Sequence, residues 1–73
     1  MKKELQNKIV YAIYSENLRN GIVVRIDLFY KDQSRRIIRG KKKCKRLFMY
    51  LADLFSREDI VSQNGDVASF KLV

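Results

Sequence analysis

Residues 41–57 read KKKCKRLFMYLADLFSR, and this segment carries the clearest periodic pattern in the chain. Its apolar side chains recur at steps of three and four, which is the spacing of one face of an α-helix. We therefore predict a helix from Lys41 to Arg57 whose apolar stripe packs on a sheet. The stripe consists of Cys44, Leu47, Phe48, Leu51, Leu54 and Phe55.

The residues before this helix predict two strands. Side chains of different character alternate over Ile22–Lys31, as is typical of a strand whose two faces meet different surroundings. The core face is predicted to hold Ile22, Val24, Ile26, Leu28 and Tyr30, and the opposite face Val23, Arg25, Asp27, Phe29 and Lys31. After a turn at residues 31–34, a short strand over Arg36–Arg39 is expected to return beside the first.

The last segment predicts a second hairpin. Asn64-Gly65 lies between two strand-like stretches, and this dipeptide is a strong signal for a tight hairpin turn. The turn would pair Ile60–Gln63 with Asp66–Val73. Directly opposed residues point to the same side of a sheet. The predicted core face of this hairpin therefore holds Val61, Ala68, Phe70 and Leu72.

Residues 2–19 fit two interpretations. The first is a strand over Lys8–Ser15, rich in β-branched and aromatic residues, which would pair with Ile22–Lys31. The second is a helix over Lys2–Arg19, and we favour it because residues 3–6 are good helix formers. Its apolar face would hold Leu5, Ile9, Ala12 and Ile13.

The predicted fold is therefore α+β, with the order helix–hairpin–helix–hairpin (αββαββ). Both helices would pack on one face of an antiparallel sheet. We expect residues 1–73 to form one small basic domain, because no stretch is long or polar enough to be a linker. A domain of this size buries only about 60% of the surface of its unfolded chain. A homodimer is the expected remedy, since one cysteine and no histidine leave neither a disulfide nor a structural zinc site.

The positive charge of the chain is concentrated in one segment. Sixteen Lys and Arg face eight Asp and Glu, which gives a net charge of +8. Eight of the basic residues lie between positions 35 and 46, and no acidic residue lies among them. A concentrated excess indicates a surface that meets an anion. The predicted nucleic-acid-binding residues are Arg35, Arg36, Arg39, Lys41, Lys42, Lys43, Lys45 and Arg46.

The position of this cluster at a helix start strengthens that interpretation. Three lysines, Lys41, Lys42 and Lys43, lie in the predicted first turn, where the helix dipole already carries positive charge. They oppose helix stability there unless an anion binds, in which case ammonium groups and free backbone N–H groups converge on it. The competing explanation is a solvated lysine-rich turn that serves solubility alone.

These features predict a small non-enzymatic nucleic-acid-binding module that contacts phosphates through residues 35–46. The alternative is a small adaptor or inhibitor whose basic face binds an acidic protein surface. Membrane binding is disfavoured because the apolar stripe of the helix is needed for the core. On the sheet face opposite the core, Val23 and Phe29 would form a dimerisation or base-stacking surface.

Catalysis is not expected from this composition. The chain has no histidine, the commonest general base. The position of Cys44 on the apolar stripe indicates a buried structural thiol, and no motif for a metal or cofactor is present. Without a recognisable signal peptide or membrane-spanning apolar run, we expect the protein to be cytoplasmic.

Overall fold

A computed structural model of the chain describes residues 8–73, which form five strands and one helix. The elements in chain order are β1 (Ile9–Asn17), β2 (Val23–Tyr30), β3 (Arg35–Arg39), α1 (Lys41–Leu54), β4 (Arg57–Asn64) and β5 (Val67–Leu72). All neighbouring strands are antiparallel, and their order in the sheet is β3-β2-β1-β5-β4. The α+β class and the antiparallel sheet are confirmed. The αββαββ order is not, because the described residues run βββαββ.

The predicted helix over Lys2–Arg19 is wrong in the part that the structure describes. Ile9–Asn17 is the central strand, paired with β2 on one side and β5 on the other. The strand interpretation, with its hairpin to β2, is therefore the correct one. Residues 2–7 of the predicted helix lie outside the described residues.

The two-sided burial of β1 explains why its sequence resembles a helix. Ala12 and Tyr14 are buried in the core, where Tyr14 contacts Phe48 of α1, while Tyr11 and Ile13 are half-buried on the other face. A strand with apolar residues on both faces does not alternate cleanly between apolar and polar. Its apolar residues can then match helical spacing by coincidence.

Helix α1 packs on β2 and β3 and closes the core. It starts at Lys41 as predicted but ends at Leu54, because the chain turns into β4 at Arg57. Of the predicted stripe, Cys44 and Leu51 are fully buried and Leu47, Phe48 and Phe55 pack around them. Leu54 does not belong to the core, since it lies in the last helical turn with 56% of its surface exposed.

A β-bulge in β2 reverses the predicted roles of two neighbouring valines. Ser15 pairs with Arg25 and Glu16 with Val23, so that Val24 has no partner in β1. The extra residue shifts the alternation of the strand by one position. Val23 is therefore buried, with 9% of its surface exposed, whereas Val24 is 42% exposed. Beyond the bulge the predicted alternation holds, with Ile26 and Leu28 in the core and Arg25, Asp27 and Phe29 opposite.

The second hairpin forms as predicted, but its turn lies one residue later than Asn64-Gly65. Asn64 ends β4 and pairs with Val67, so that the turn residues are Gly65 and Asp66. Gly65 has a φ of 62°, which a glycine adopts without strain. Ala68, Phe70 and Leu72 are buried as expected. Val61 is 51% exposed instead, because the register between β4 and β5 shifts between Ile60 and Ser62.

Candidate nucleic-acid interface

Strand alternation divides the eight predicted basic residues between the two sides of the sheet. Arg35 and Arg39 are directly opposed to Phe29 and Arg25 of β2. They therefore lie on the face opposite α1, which we call the open face. Arg36 is opposed to the buried Leu28 and lies on the helix side. The other five basic residues belong to α1, namely Lys41, Lys42, Lys43, Lys45 and Arg46.

The open face combines aromatic, aliphatic and basic side chains. Strand pairings place on it Tyr11, Ile13, Ser15, Arg25, Asp27, Phe29, Arg35, Ile37, Arg39, Val67, Ser69 and Lys71. The rings of Tyr11 and Phe29 stack with their centroids 4.5 Å apart and an interplanar angle of 12°. The Lys71 ammonium lies 4.5 Å from the centroid of the Tyr11 ring. No helix or strand among residues 8–73 covers this face.

The one carboxylate that these pairings place on the open face is already neutralised. Nε of Arg25 donates a hydrogen bond to Asp27 Oδ1 at 2.7 Å, and its terminal nitrogen donates to Oδ2 at 3.1 Å. These hydrogen bonds and the charge of Asp27 raise the pKa of Arg25. The net positive charge of the open face therefore comes from Arg35, Arg39 and Lys71.

The helical lysines surround a second feature, an open cleft of about 510 Å³ between α1 and the β1–β2 turn. Lys41, Lys42 and Lys45 line it together with apolar side chains that include Phe48. Glu16 of β1 also lines the cleft and supplies an opposing charge. The cleft is thus a mixed surface with a basic wall.

The remaining helical cations point elsewhere. Because an α-helix turns by about 100° per residue, Lys43 lies on the flank of α1 opposite Lys41 and Lys45. Arg46 lies beside Lys42, on the side of α1 away from the buried Cys44 and Leu51. The first turn of α1 contains no acidic residue, and no side chain caps it through a hydrogen bond. Lys41, Lys42 and Lys43 therefore oppose the helix dipole as the sequence predicted.

The edge position of β3 connects the two basic surfaces. Strand β3 is the outermost strand on its side of the sheet, and α1 packs behind it. Arg35 and Arg39 project to one side of this strand and Arg36 to the other. A long polyanion that crosses the β3 edge can therefore contact basic side chains on both sides of the sheet.

The two residues of the predicted dimer or stacking face lie on different sides of the sheet. Phe29 lies on the open face, whereas the bulge turns Val23 into the core. The predicted pair did not include Tyr11 and Lys71, which complete the aromatic cluster. The strand interpretation of Lys8–Ser15 predicts that Tyr11 and Tyr14 lie on opposite faces of the sheet, because they are three residues apart. With Tyr14 in the core, that interpretation places Tyr11 on the open face.

Cys44 has the environment of a structural thiol. Its side chain is fully buried and donates a hydrogen bond to the carbonyl oxygen of Ile38, with a sulfur-to-oxygen distance of 3.4 Å. Burial raises the pKa of the Cys44 thiol, so that the reactive thiolate is disfavoured.

We therefore expect Cys44 to react with an aromatic disulfide reagent only when the domain opens. The labelling rate in native buffer should be far below the rate in denaturant, with a free thiol of similar size as the control for reagent activity. Equal rates in both conditions would contradict the burial of Cys44.

Within residues 8–73, no helix is long and apolar enough to span a membrane. Among residues 8–57 and 59–73, whose side chains the structure describes, no three His, Cys, Asp or Glu side chains form a cluster that could hold a metal ion. No protein-family model, curated protein or solved structure matches the chain.

Proposed function

We propose that this chain is a small non-enzymatic nucleic-acid-binding module that contacts phosphates through its basic cluster. The cluster consists of Arg35, Arg36, Arg39, Lys41, Lys42, Lys43, Lys45 and Arg46. The observation that carries the proposal is the exposure of all eight side chains around the edge strand β3, with no acidic residue between them in the chain. A phosphate backbone presents the regularly spaced negative charges that such a track can neutralise.

The aromatic residues of the open face favour nucleic acid over an acidic protein as the partner. Arg35 lies beside Phe29, which stacks on Tyr11. A surface that pairs guanidinium groups with aromatic rings can hold both the phosphates and the bases of one ligand. The carboxylates of an acidic protein surface would pair with the basic side chains but would not stack on the aromatic rings.

The proposal predicts binding that weakens steeply as salt increases. Each phosphate contact contributes about −0.9 to the log–log slope on duplex DNA and about −0.7 on single strands. Affinity should therefore be measured by fluorescence anisotropy between about 50 and 200 mM salt, on several sequences of equal length. Absence of salt-dependent binding at about 50 mM salt would end the proposal and leave an acidic protein as the partner to test.

Neutralising the helix start should weaken binding to all sequences alike. Changing Lys41, Lys42 and Lys43 together to Gln should flatten the salt slope by about two to three units. The helix should remain folded, because removing positive charge from a helix N-terminus is neutral or mildly stabilising. Circular dichroism checks this point.

Two matched variants control the experiment. Changing the same three lysines to Arg keeps their charges and should keep the slope. Changing Arg19 to Gln removes an exposed charge outside the cluster, one that pairs with Asp66 at 3.0 Å, and should have little effect. If the Gln variant loses affinity for only one of the sequences, the three lysines read bases. If the salt slope of the Gln variant equals that of the wild type, the three lysines do not contact phosphates.

A further inference from the structure

The open face carries a short row of stacked side chains. Strand β1 lies between β2 and β5, so Phe29 and Lys71 reach Tyr11 from opposite neighbouring strands. Phe29 covers Tyr11 from the β2 side, and the Lys71 ammonium approaches the ring from the β5 side. The ring of Tyr11 is thus contacted by both Phe29 and Lys71 of its own chain. Phe29 forms the end of the row on the β2 side.

Arg35 is the next residue beyond this end. It is directly opposed to Phe29 across the β2–β3 pairing and is exposed. Directly opposed residues have Cβ atoms about 4.5–5.5 Å apart, which a long arginine side chain spans easily. Among the described residues, the cation–π contacts are those of Arg57 with Phe70 and Lys71 with Tyr11, and neither involves Arg35. The guanidinium is therefore placed to fold over a flat group that stacks on Phe29.

A recess lies beside the same two rings. It has a volume of about 340 Å³ and is lined by Tyr11 and Phe29 together with Lys31 and Gln33 of the β2–β3 turn. This volume is at the lower end of the range for small-ligand pockets. The amide of Gln33 carries both donors and acceptors, as the edge of a nucleobase does. Gln33 also adopts a φ of 74°, a left-handed conformation that is uncommon for residues other than glycine.

We infer that Phe29 binds a base of a single-stranded nucleic acid, with Arg35 closing over the base and Lys31 and Lys71 near its phosphates. This inference rests on the proposed function and specifies its ligand. Aromatic side chains stack on bases that have been freed from their neighbours, which single strands supply. In a duplex the faces of the bases are already stacked on each other.

Charge favours a nucleic acid over a second copy of the chain on this face. An isologous dimer would place the net positive patch that holds Arg35, Arg39 and Lys71 against an identical net positive patch of the partner copy. Like charges would then face each other across the interface.

The acidic residue nearest the recess in sequence is Asp32, which accepts hydrogen bonds from Ser34. The pKa of Asp32 is lowered mainly by these bonds, so its charge opposes the phosphates locally.

The test compares three labelled oligonucleotides: a single strand, the same strand with abasic sites in its centre, and the corresponding duplex. Phe29→Leu keeps an apolar side chain but removes the ring. It should weaken binding of the intact single strand by roughly 5-fold to 150-fold, the range for loss of one base–aromatic stack. Binding of the abasic strand and of the duplex should change little.

Tyr50→Leu is the matched control, because Tyr50 is an exposed aromatic on α1 with 58% of its surface exposed. This substitution should leave binding of all three oligonucleotides unchanged. If Phe29→Leu fails to fold, Phe29→Trp provides a second measurement, since the chain contains no other Trp. Its fluorescence should be quenched by the intact single strand and much less by the abasic strand.

The outcomes separate this inference from the proposed function. Salt-dependent binding that is the same for wild type and Phe29→Leu would overturn the base-stacking role and leave the phosphate-binding proposal standing. No binding of any oligonucleotide would overturn both. A concentration-dependent dimer in sedimentation that Phe29→Leu abolishes would assign the open face to a second copy of the chain and also overturn the inference.

Discussion

Replacing Leu51 with alanine should lower the free energy of unfolding by about 2–5 kcal/mol. Leu51 is fully buried in the cluster that joins α1 to the sheet. Truncation there removes apolar contacts and leaves a cavity that a small core closes only in part. Small domains have a total stability of about 5–15 kcal/mol, so the substitution would remove a large share of it. Urea denaturation followed by circular dichroism measures the loss.

Leu54 supplies the matched control within the same helix. Leu54→Ala makes the same chemical change one turn further along α1, at a side chain that is 56% exposed. The loss should stay within about 0.5 kcal/mol, as for surface substitutions generally. A Leu54→Ala loss as large as that of Leu51→Ala would mean that α1 presents a different face to the sheet.

The helix was predictable because its pattern is long and has one buried face. Cys44 and Leu51 are seven positions apart, which is close to two helical turns, so chance alignment of the whole stripe is improbable. The end of the helix was less predictable. Leu54 continues the apolar spacing, but the chain leaves α1 at Phe55, whose backbone is extended with φ of −127° and ψ of 152°. Nothing in the local sequence marks that change, since no glycine or proline is present there.

The bulge in β2 shows a second limit of sequence patterns. Val23 and Val24 are identical side chains, so the alternation alone decides which of them is buried. That decision depends on the pairing of Glu16 with Val23, a contact between two strands that the sequence of β2 does not contain. The pattern beyond the bulge, from Arg25 onwards, was read correctly because it depends on one uninterrupted strand.

The candidate site was found in part. The basic segment is visible in composition alone, and its eight side chains are indeed exposed. Its division between two faces follows from strand alternation at Arg35 and Arg36, once β3 is known to begin at Arg35. Tyr11 and Lys71 could not be assigned to the site, because Tyr11 reaches Phe29 and Lys71 reaches Tyr11 through pairings of β1 that a helical interpretation of that segment excludes.

Two neighbouring residues of β1 give the sharpest test of its strand assignment. A helix over Lys2–Arg19 would bury Ile13 and leave Tyr14 off its apolar face. The strand does the reverse, burying Tyr14 under α1 and placing Ile13 on the open face. The Tyr14 ring lies 4.5 Å from that of Phe48 and 5.2 Å from that of Phe70, measured between centroids.

Tyr14→Ala should therefore cost about 3–5 kcal/mol of unfolding free energy, the range for removing a large buried aromatic side chain. Ile13→Ala should cost about 1 kcal/mol, because a half-buried side chain loses only part of its transfer free energy. Both variants are compared by urea denaturation at neutral pH, which is well below the pKa of Tyr14, since burial raises that pKa above the ordinary 10.0. A larger loss for Ile13→Ala than for Tyr14→Ala would refute the strand, and with it the open face on which Tyr11 and Phe29 stack.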